Sequence, residues 1–172
     1  RKGLEEKIEK AQREDAVEYN YQKRSSRHFQ VGYAPGTSGG DVRTILTVLE
    51  RAYRDIGRQV GGVYPPGPVQ VKLYTADDFS QATLLGEHVG AVYDGTIRLP
   101  LVDKKGRSLP SSELERRLYH EYVHVVVRHV VGDNVPWWFN EGLAETLSEE
   151  LTGEDRHQLE ALYADDAQFP ME

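Results

Sequence analysis

Residues 111–145 read SSELERRLYHEYVHVVVRHVVGDNVPWWFNEGLAE, and this stretch predicts the centre of the fold. Its motif HEYVH places His120 and His124 four residues apart, which puts both side chains on one face of a helix. Glu121 lies one position further round the same helix. Two imidazoles beside a carboxylate are the residue types that hold a zinc ion and activate a water molecule. The stretch therefore predicts a metal-binding helix.

The residues after this motif predict a second helix that runs back along the first. A helix that continues to Val131 advances about 10 Å beyond His124 at the standard rise. Residues 132–134 are typical of a turn, and Pro136 suits the first turn of a new helix. From Pro136 to Glu141 the chain returns about 9 Å, to the level of His124. We therefore expect Glu141 to supply a third metal ligand, with the fourth position left to water.

Glu145 follows Glu141 by four residues and so lies on the same face of the second helix. From this position it can accept the second ring N–H of a liganding histidine, which fixes the orientation of the ring. By chance, a chain of this composition would contain HExxH only about 0.02 times. The competing interpretation is a plain α+β domain without a metal, whose histidines make ordinary hydrogen bonds. It predicts that Glu141 lies far from His124.

HEYVH followed by WFNEGLAE resembles the gluzincin metallopeptidases, the thermolysin-like and aminopeptidase-like zinc enzymes. The nearest resemblance is to the peptidase-MA-like domain of bacterial proteins, which is often attached to tetratricopeptide repeats. It covers roughly residues 26–150, with specific motifs only in the stretch quoted above. The resemblance implies His120, His124 and Glu141 as ligands of one zinc ion. It also implies a thermolysin-like zincin subdomain that hydrolyses peptide bonds, with Glu121 as the general base.

The same resemblance implies roles for residues outside the motif. In gluzincins the edge strand before the metal helix binds the substrate backbone, and Ala91, Tyr93 and Gly95 are similar to that strand's pattern. An exposed edge offers unpaired N–H and C=O groups to any peptide. An ordinary edge strand has the same pattern. The family also uses a Tyr or His as oxyanion donor, and the candidates here are Tyr163 and His157.

The resemblance also bears on the type of reaction. The strand GAVYDGT, residues 90–96, lacks the glutamate with which aminopeptidases of this group hold the substrate's amine. Endopeptidase or oligopeptidase action is therefore favoured, and the implied partner is a peptide or protein substrate. The alternative function is a binding or scaffolding module that has retained zinc but lost turnover. A closed site with four protein ligands would indicate a structural zinc, whereas an open position favours catalysis.

The composition excludes several other classes. A chain of 172 residues suits one domain with its own core. Since no cysteine is present, neither a disulfide bridge nor a cysteine metal site can form. A net charge of −7 without a basic patch argues against nucleic-acid binding, and no apolar run has the length of a membrane span. The lack of cysteine suits cytosol and periplasm equally, and only the resemblance favours an extracytoplasmic location.

The first residue is Arg, so we expect the chain to be a piece excised from a longer protein. Residues 1–24 are rich in charge and keep a helical spacing, which predicts a solvated linking helix. The resemblance suggests that this helix is the tail of a repeat region and that a repeat domain is the neighbour. Residues 25–172 are then the metallopeptidase-like domain.

We expect an α+β fold in which a small mixed sheet packs on the buried metal helix. Alternating apolar residues predict three strands, at residues 27–33, 69–74 and 90–101. A bulge is expected in the third strand near Asp94 and Gly95. In the first strand, His28 is expected on the solvated face.

Helical periodicity predicts a core helix over residues 41–60, with Asp41 as its N-terminal cap. Thr75 is expected to start a further short helix in the same way. For the metal helix, Ser112 and Glu115 form a predicted capping box. The metal helix is apolar nearly all round, so we expect it to be buried at the centre of the domain.

Overall fold

The computed structural model describes residues 2–83, 92–101, 107–132 and 134–148. Within these residues the helices are α1 (Lys2–Glu18), α2 (Gly39–Gln59), α3 (Ala76–Thr83), α4 (Ser111–Val131) and α5 (Trp137–Ser148). The strands are β1 (Gln22–Ser25), β2 (Phe29–Tyr33), β3 (Val69–Tyr74), β4 (Val92–Tyr93) and β5 (Ile97–Pro100). The predicted α+β class is confirmed.

The described strands form one mixed sheet in the order β1-β2-β3-β5-β4. The three central strands, β2, β3 and β5, are parallel, while β1 and β4 pair antiparallel at the two edges. α2 connects β2 to β3, and α3 follows β3 in the chain. Parallel neighbours need such crossovers, because the chain must return to the same end of the sheet before the next strand begins.

One face of the sheet packs against α2 and α4 and forms the core. Val69, Val71 and Leu73 of β3 point to this face and are buried, as their alternation predicts. α2 adds buried apolar side chains at helical spacing, namely Val42, Ile45, Leu46, Leu49, Ala52 and Ile56. The predicted core helix is therefore confirmed. Because α4 shares this core, the HEYVH motif is held against the sheet.

The opposite face of the sheet carries α1 through polar contacts. Lys72 of β3 pairs with Glu18 of α1, and the Tyr74 hydroxyl donates a hydrogen bond to the same carboxylate. Arg98 of β5 pairs with Glu14, one turn earlier in α1, at 2.9 Å. Glu14 and Glu18 therefore connect this helix to the sheet, whereas Glu5, Glu9 and Asp15 are exposed, as the prediction of a solvated helix has it.

Two parts of the predicted strand pattern are wrong. The described portion of residues 90–101 is a hairpin rather than one bulged strand, and β4 and β5 pair antiparallel with Tyr93 opposite Ile97. The chain reverses at Gly95, whose φ of 112° favours glycine. The N-terminal helix stops at Glu18, before the polar strand β1. β1 has no alternating apolar pattern, since its pairing with β2 is what makes it a strand.

The cap of α2 also differs from the prediction, whereas that of α3 is confirmed. Ser38 rather than Asp41 caps α2, because the Ser38 hydroxyl accepts a hydrogen bond from the N–H of Gly40 at 3.2 Å. α2 therefore begins at Gly39, two residues earlier than expected, within a Gly- and Ser-rich segment whose composition is typical of a loop. At α3, the Thr75 hydroxyl accepts from the N–H of Asp78 at 3.2 Å.

The middle of α4 is buried as predicted, but its end is exposed at Val130 and Val131, and its start differs from the prediction. Pro110 occupies its cap position, and no side chain there accepts a capping hydrogen bond, so the box of Ser112 and Glu115 does not form. Glu115 instead pairs with Arg51 of α2 at 2.5 Å. Residues 121–127 are buried without interruption. Among the described helices, α4 included, none combines the length and apolar character needed to cross a bilayer.

His28 directly precedes β2 and is not on a solvated face, contrary to the prediction. Its Nδ1 lies 2.8 Å from a carboxylate oxygen of Glu50 on α2, and its ring stacks on that of Tyr53 at 3.8 Å. The Ser26 hydroxyl and the His28 backbone N–H donate to the other oxygen of Glu50. The strand begins only at Phe29, so its alternation does not govern the position of His28.

Candidate metal centre

The site is built on α4 and α5, which pack against each other. α4 ends at Gly132, whose φ of 71° turns the chain and whose N–H donates to the carbonyl of Arg128. α5 begins directly after Pro136, whose carbonyl accepts from the N–H groups of Phe139 and Asn140. The end of α4 at Gly132 and the start of α5 after Pro136 direct α5 back along α4. Residues on facing sides of α4 and α5 are thereby brought within reach of one another.

His120, His124 and Glu141 meet between the two helices. Nε2 of His120 lies 3.5 Å from one carboxylate oxygen of Glu141, and Nε2 of His124 lies 3.5 Å from the other. One ligand atom from each residue lies within 4.8 Å of the other two. Ligand atoms about 2.1 Å from a tetrahedral zinc are about 3.4 Å apart; the limit here is 4.8 Å, and the two 3.5 Å distances run to different oxygens of Glu141, so the three residues form a group that could hold a metal after a small adjustment. The distant Glu141 expected for a plain α+β domain is not found.

Burial differs among the three residues and leaves the site open on one side. The side chains of His120 and His124 are 14% and 9% exposed, whereas that of Glu141 is 34% exposed. The pKa of His120 is lowered, first by burial and then by the neighbouring His124. A lowered pKa keeps the imidazole neutral, which is the form that binds a metal. The three residues therefore have a donor chemistry that suits zinc.

Glu121 is buried beside these residues and is only 5% exposed. Burial raises its pKa to about 8, and the negative charge of Glu141 adds to the effect. Its Oε2 is buried without a hydrogen-bond partner among the described residues. Buried polar atoms are normally paired, so an unpaired carboxyl oxygen beside two histidines is typical of a group that acts on a ligand.

Glu145 lies on the outer side of His120. One of its oxygens is 3.4 Å from Nδ1 of His120, and the other is 3.4 Å from the guanidinium of Arg116. The contact with His120 is close but is not aligned as a hydrogen bond. Glu145 thus occupies the position expected for a residue that orients His120, while its role stays a prediction.

A cavity of about 220 Å³ opens next to His124. Tyr93 of β4 lines it, together with Arg128 of α4 and Asn140 of α5. Gly95 lines a second cavity, which also includes Tyr93 and Arg128. The structure therefore brings the hairpin that was expected to bind substrate to the same side of α4 as His124.

Some predicted residues lie outside the described part of the chain, namely Ala91, Tyr163 and His157. Their roles in substrate binding and oxyanion stabilisation stay predictions. Two cavity residues, Arg128 and Asn140, were not predicted. Their positions carry a signal, because Arg128 follows His124 by four residues on one helix face and Asn140 directly precedes Glu141.

Comparison with known proteins adds no relative to this geometry. No protein-family model matches the chain, and a search of curated proteins finds no match either. The resemblance to gluzincins therefore rests on the motif residues themselves. It stays a prediction.

Proposed function

We propose that this chain is a zinc-dependent peptidase that hydrolyses peptide bonds with a water molecule. One observation carries the proposal: His120 and His124 of α4 converge with Glu141 of α5 beside the buried carboxyl group of Glu121. Two histidines, one carboxylate ligand and a free carboxyl group are the parts that metal-assisted hydrolysis requires. His124 lines an open cavity, which gives a substrate access to this end of the site.

In this proposal His120, His124 and Glu141 hold the zinc ion, and Glu145 orients His120. A zinc ion held there would lower the pKa of a water molecule and polarise the scissile carbonyl. The partial exposure of Glu141 leaves one side of the site accessible to water and substrate. An accessible side distinguishes a catalytic zinc site from a structural one.

Glu121 is the general base of the proposed reaction. Its unpaired Oε2 is available to accept a proton from the attacking water and to pass it to the leaving amine. The pKa of about 8 belongs to the site without a cation, and a zinc ion held beside Glu121 would lower it toward the ionised form that accepts a proton. Its burial among apolar side chains of α4 limits competition from bulk water.

We further propose that the substrate lies along the β4–β5 hairpin and that the fold is of the thermolysin-like kind. The support is that β4 is an edge strand of the described sheet, contacts α4, and carries Tyr93 into the cavity with His124. A peptide in extended conformation can add to such an edge through its backbone. Endopeptidase or oligopeptidase action is favoured, since this strand offers no glutamate to a substrate amine.

The first experiment is elemental analysis of the purified protein before and after chelation. We expect about one zinc per chain, lost in His124→Ala but retained in His129→Ala, a histidine of α4 that is exposed and outside the ligand group. No metal in the protein as purified and no uptake of added zinc would refute the proposed site.

The second experiment separates catalysis from binding. Glu121→Gln should retain zinc and lose hydrolysis of a peptide library, whereas Glu115→Gln, the same substitution at the surface of α4, should retain both. Hydrolysis by zinc-loaded Glu121→Gln would refute the mechanism. Zinc without hydrolysis in the unmodified protein would instead support the alternative function, a zinc-containing binding module.

A further inference from the structure

Two adjacent cavities lead away from the candidate metal ligands. The first, of about 220 Å³, includes His124, and the second, of about 320 Å³, is walled by a proline-rich loop. Tyr93 and Arg128 line both cavities. An extended ligand that runs from His124 through both cavities therefore passes Arg128.

Arg128 is held at this point by its neighbours. It lies one helical turn beyond His124 on the same face of α4. Its guanidinium carbon is 5.8 Å from the centre of the Tyr93 ring, a cation–π distance. A guanidinium nitrogen also lies 3.6 Å from the position that a Cβ atom would occupy if Gly95 were replaced by another residue. The charged end of Arg128 is thus kept between the hairpin and α4, at the boundary of the two cavities.

The chemistry of the cavity walls suits a negatively charged group. Among the described residues that line the two cavities, Arg128 is the single Lys, Arg, Asp or Glu side chain. Gln70 and Asn140 add amide donors, and the prolines form an apolar wall.

We propose that Arg128 binds a carboxylate group of the substrate, so that peptides with such a group beside the scissile bond are the preferred substrate class. A guanidinium has five N–H donors in a planar fork, which matches a carboxylate and leaves donors for a protein partner. The carboxylate comes either from an acidic side chain or from the C-terminus of the peptide. This inference rests on the proposed peptidase function.

The test uses three decapeptide libraries that differ only in their carboxylates. The first contains Glu and has a C-terminal amide, the second has Gln in place of every Glu, and the third is the Gln library with a free C-terminus. Binding to zinc-loaded Glu121→Gln protein is measured by affinity selection, and cleavage by the unmodified protein is measured separately. Preference for the first library identifies a side-chain carboxylate, and preference for the third identifies the terminal one.

Arg128→Met should reduce binding of the preferred library between about tenfold and a hundredfold and leave the neutral library nearly unchanged. Arg128→Lys should restore part of the preference, because it restores the charge. Arg43→Met is the matched control, since Arg43 is exposed on α2 and lines neither cavity. Equal losses for charged and neutral peptides in Arg128→Met would overturn the inference.

The two proposals fail differently. Cleavage without any preference for a carboxylate, or no binding of any library, would overturn the role of Arg128. A carboxylate preference in binding that disappears in Arg128→Met, without cleavage by the unmodified protein, would support Arg128 and refute the peptidase function.

Discussion

Arg98 offers a sharp test of how the β4–β5 hairpin is held. It is a buried cation, 5% exposed, which pairs with Asp94 in the hairpin and with Glu14 of α1. Arg98→Met keeps the side-chain length but leaves both acids without this partner. Removal of one partner from a buried ion pair costs about 3–5 kcal/mol. Since Asp94 and Glu14 are 31% and 19% exposed, we expect a smaller loss than this, about 2–3 kcal/mol.

Urea unfolding followed by circular dichroism at pH 7 measures this loss, with an unchanged m-value as the sign that both end states are preserved. The second arm is a double-mutant cycle with Asp94→Asn. Because that change removes a charge that Arg98→Met would leave with Lys10 as its partner but without Arg98, the double variant should be at least about 1 kcal/mol more stable than the sum of the single losses predicts. A loss below about 0.5 kcal/mol, or strict additivity, would refute the reasoning.

Two other residues allow direct predictions. Burial raises the pKa of Glu50, but the hydrogen bonds from Ser26 and His28 outweigh it and leave the pKa below its ordinary value of 4.5. The stability that this carboxylate contributes is therefore complete above that value and is lost as the pH falls below it. Urea midpoints should accordingly fall less steeply in acid for Glu50→Gln than for the unmodified protein, and parallel profiles would contradict this. Glu145→Gln should weaken zinc binding about tenfold through His120, as measured by competition with a chelating dye, and an unchanged affinity would exclude an orienting role.

The candidate site was predictable because it depends on local geometry. His120 and His124 are related by one helical turn, and Glu141 follows after a single short reversal. The rise of an α-helix is constant, so the approach of Glu141 to the histidines follows from counting residues. Gly132 and Pro136 mark the reversal in the sequence itself.

The features that were not predicted depend on contacts between distant segments. β1 has no apolar alternation and is a strand only because β2 pairs with it. His28 is withdrawn from solvent by Glu50, which lies on a helix that follows it in the chain. The position of Arg128 beside a cavity depends on Tyr93 and on a proline-rich loop, neither of which is near it in sequence. No periodicity within one segment reports such contacts.

Tyr93 and Arg128 line both cavities, and this has a consequence for any ligand that fills both. A group in one cavity presses on the same two side chains that bound the other. The free-energy contributions of neighbouring ligand positions are then coupled, as they are for mutations that share a contact. Preferences measured one position at a time will therefore not multiply, and selectivity has to be determined for pairs of adjacent residues.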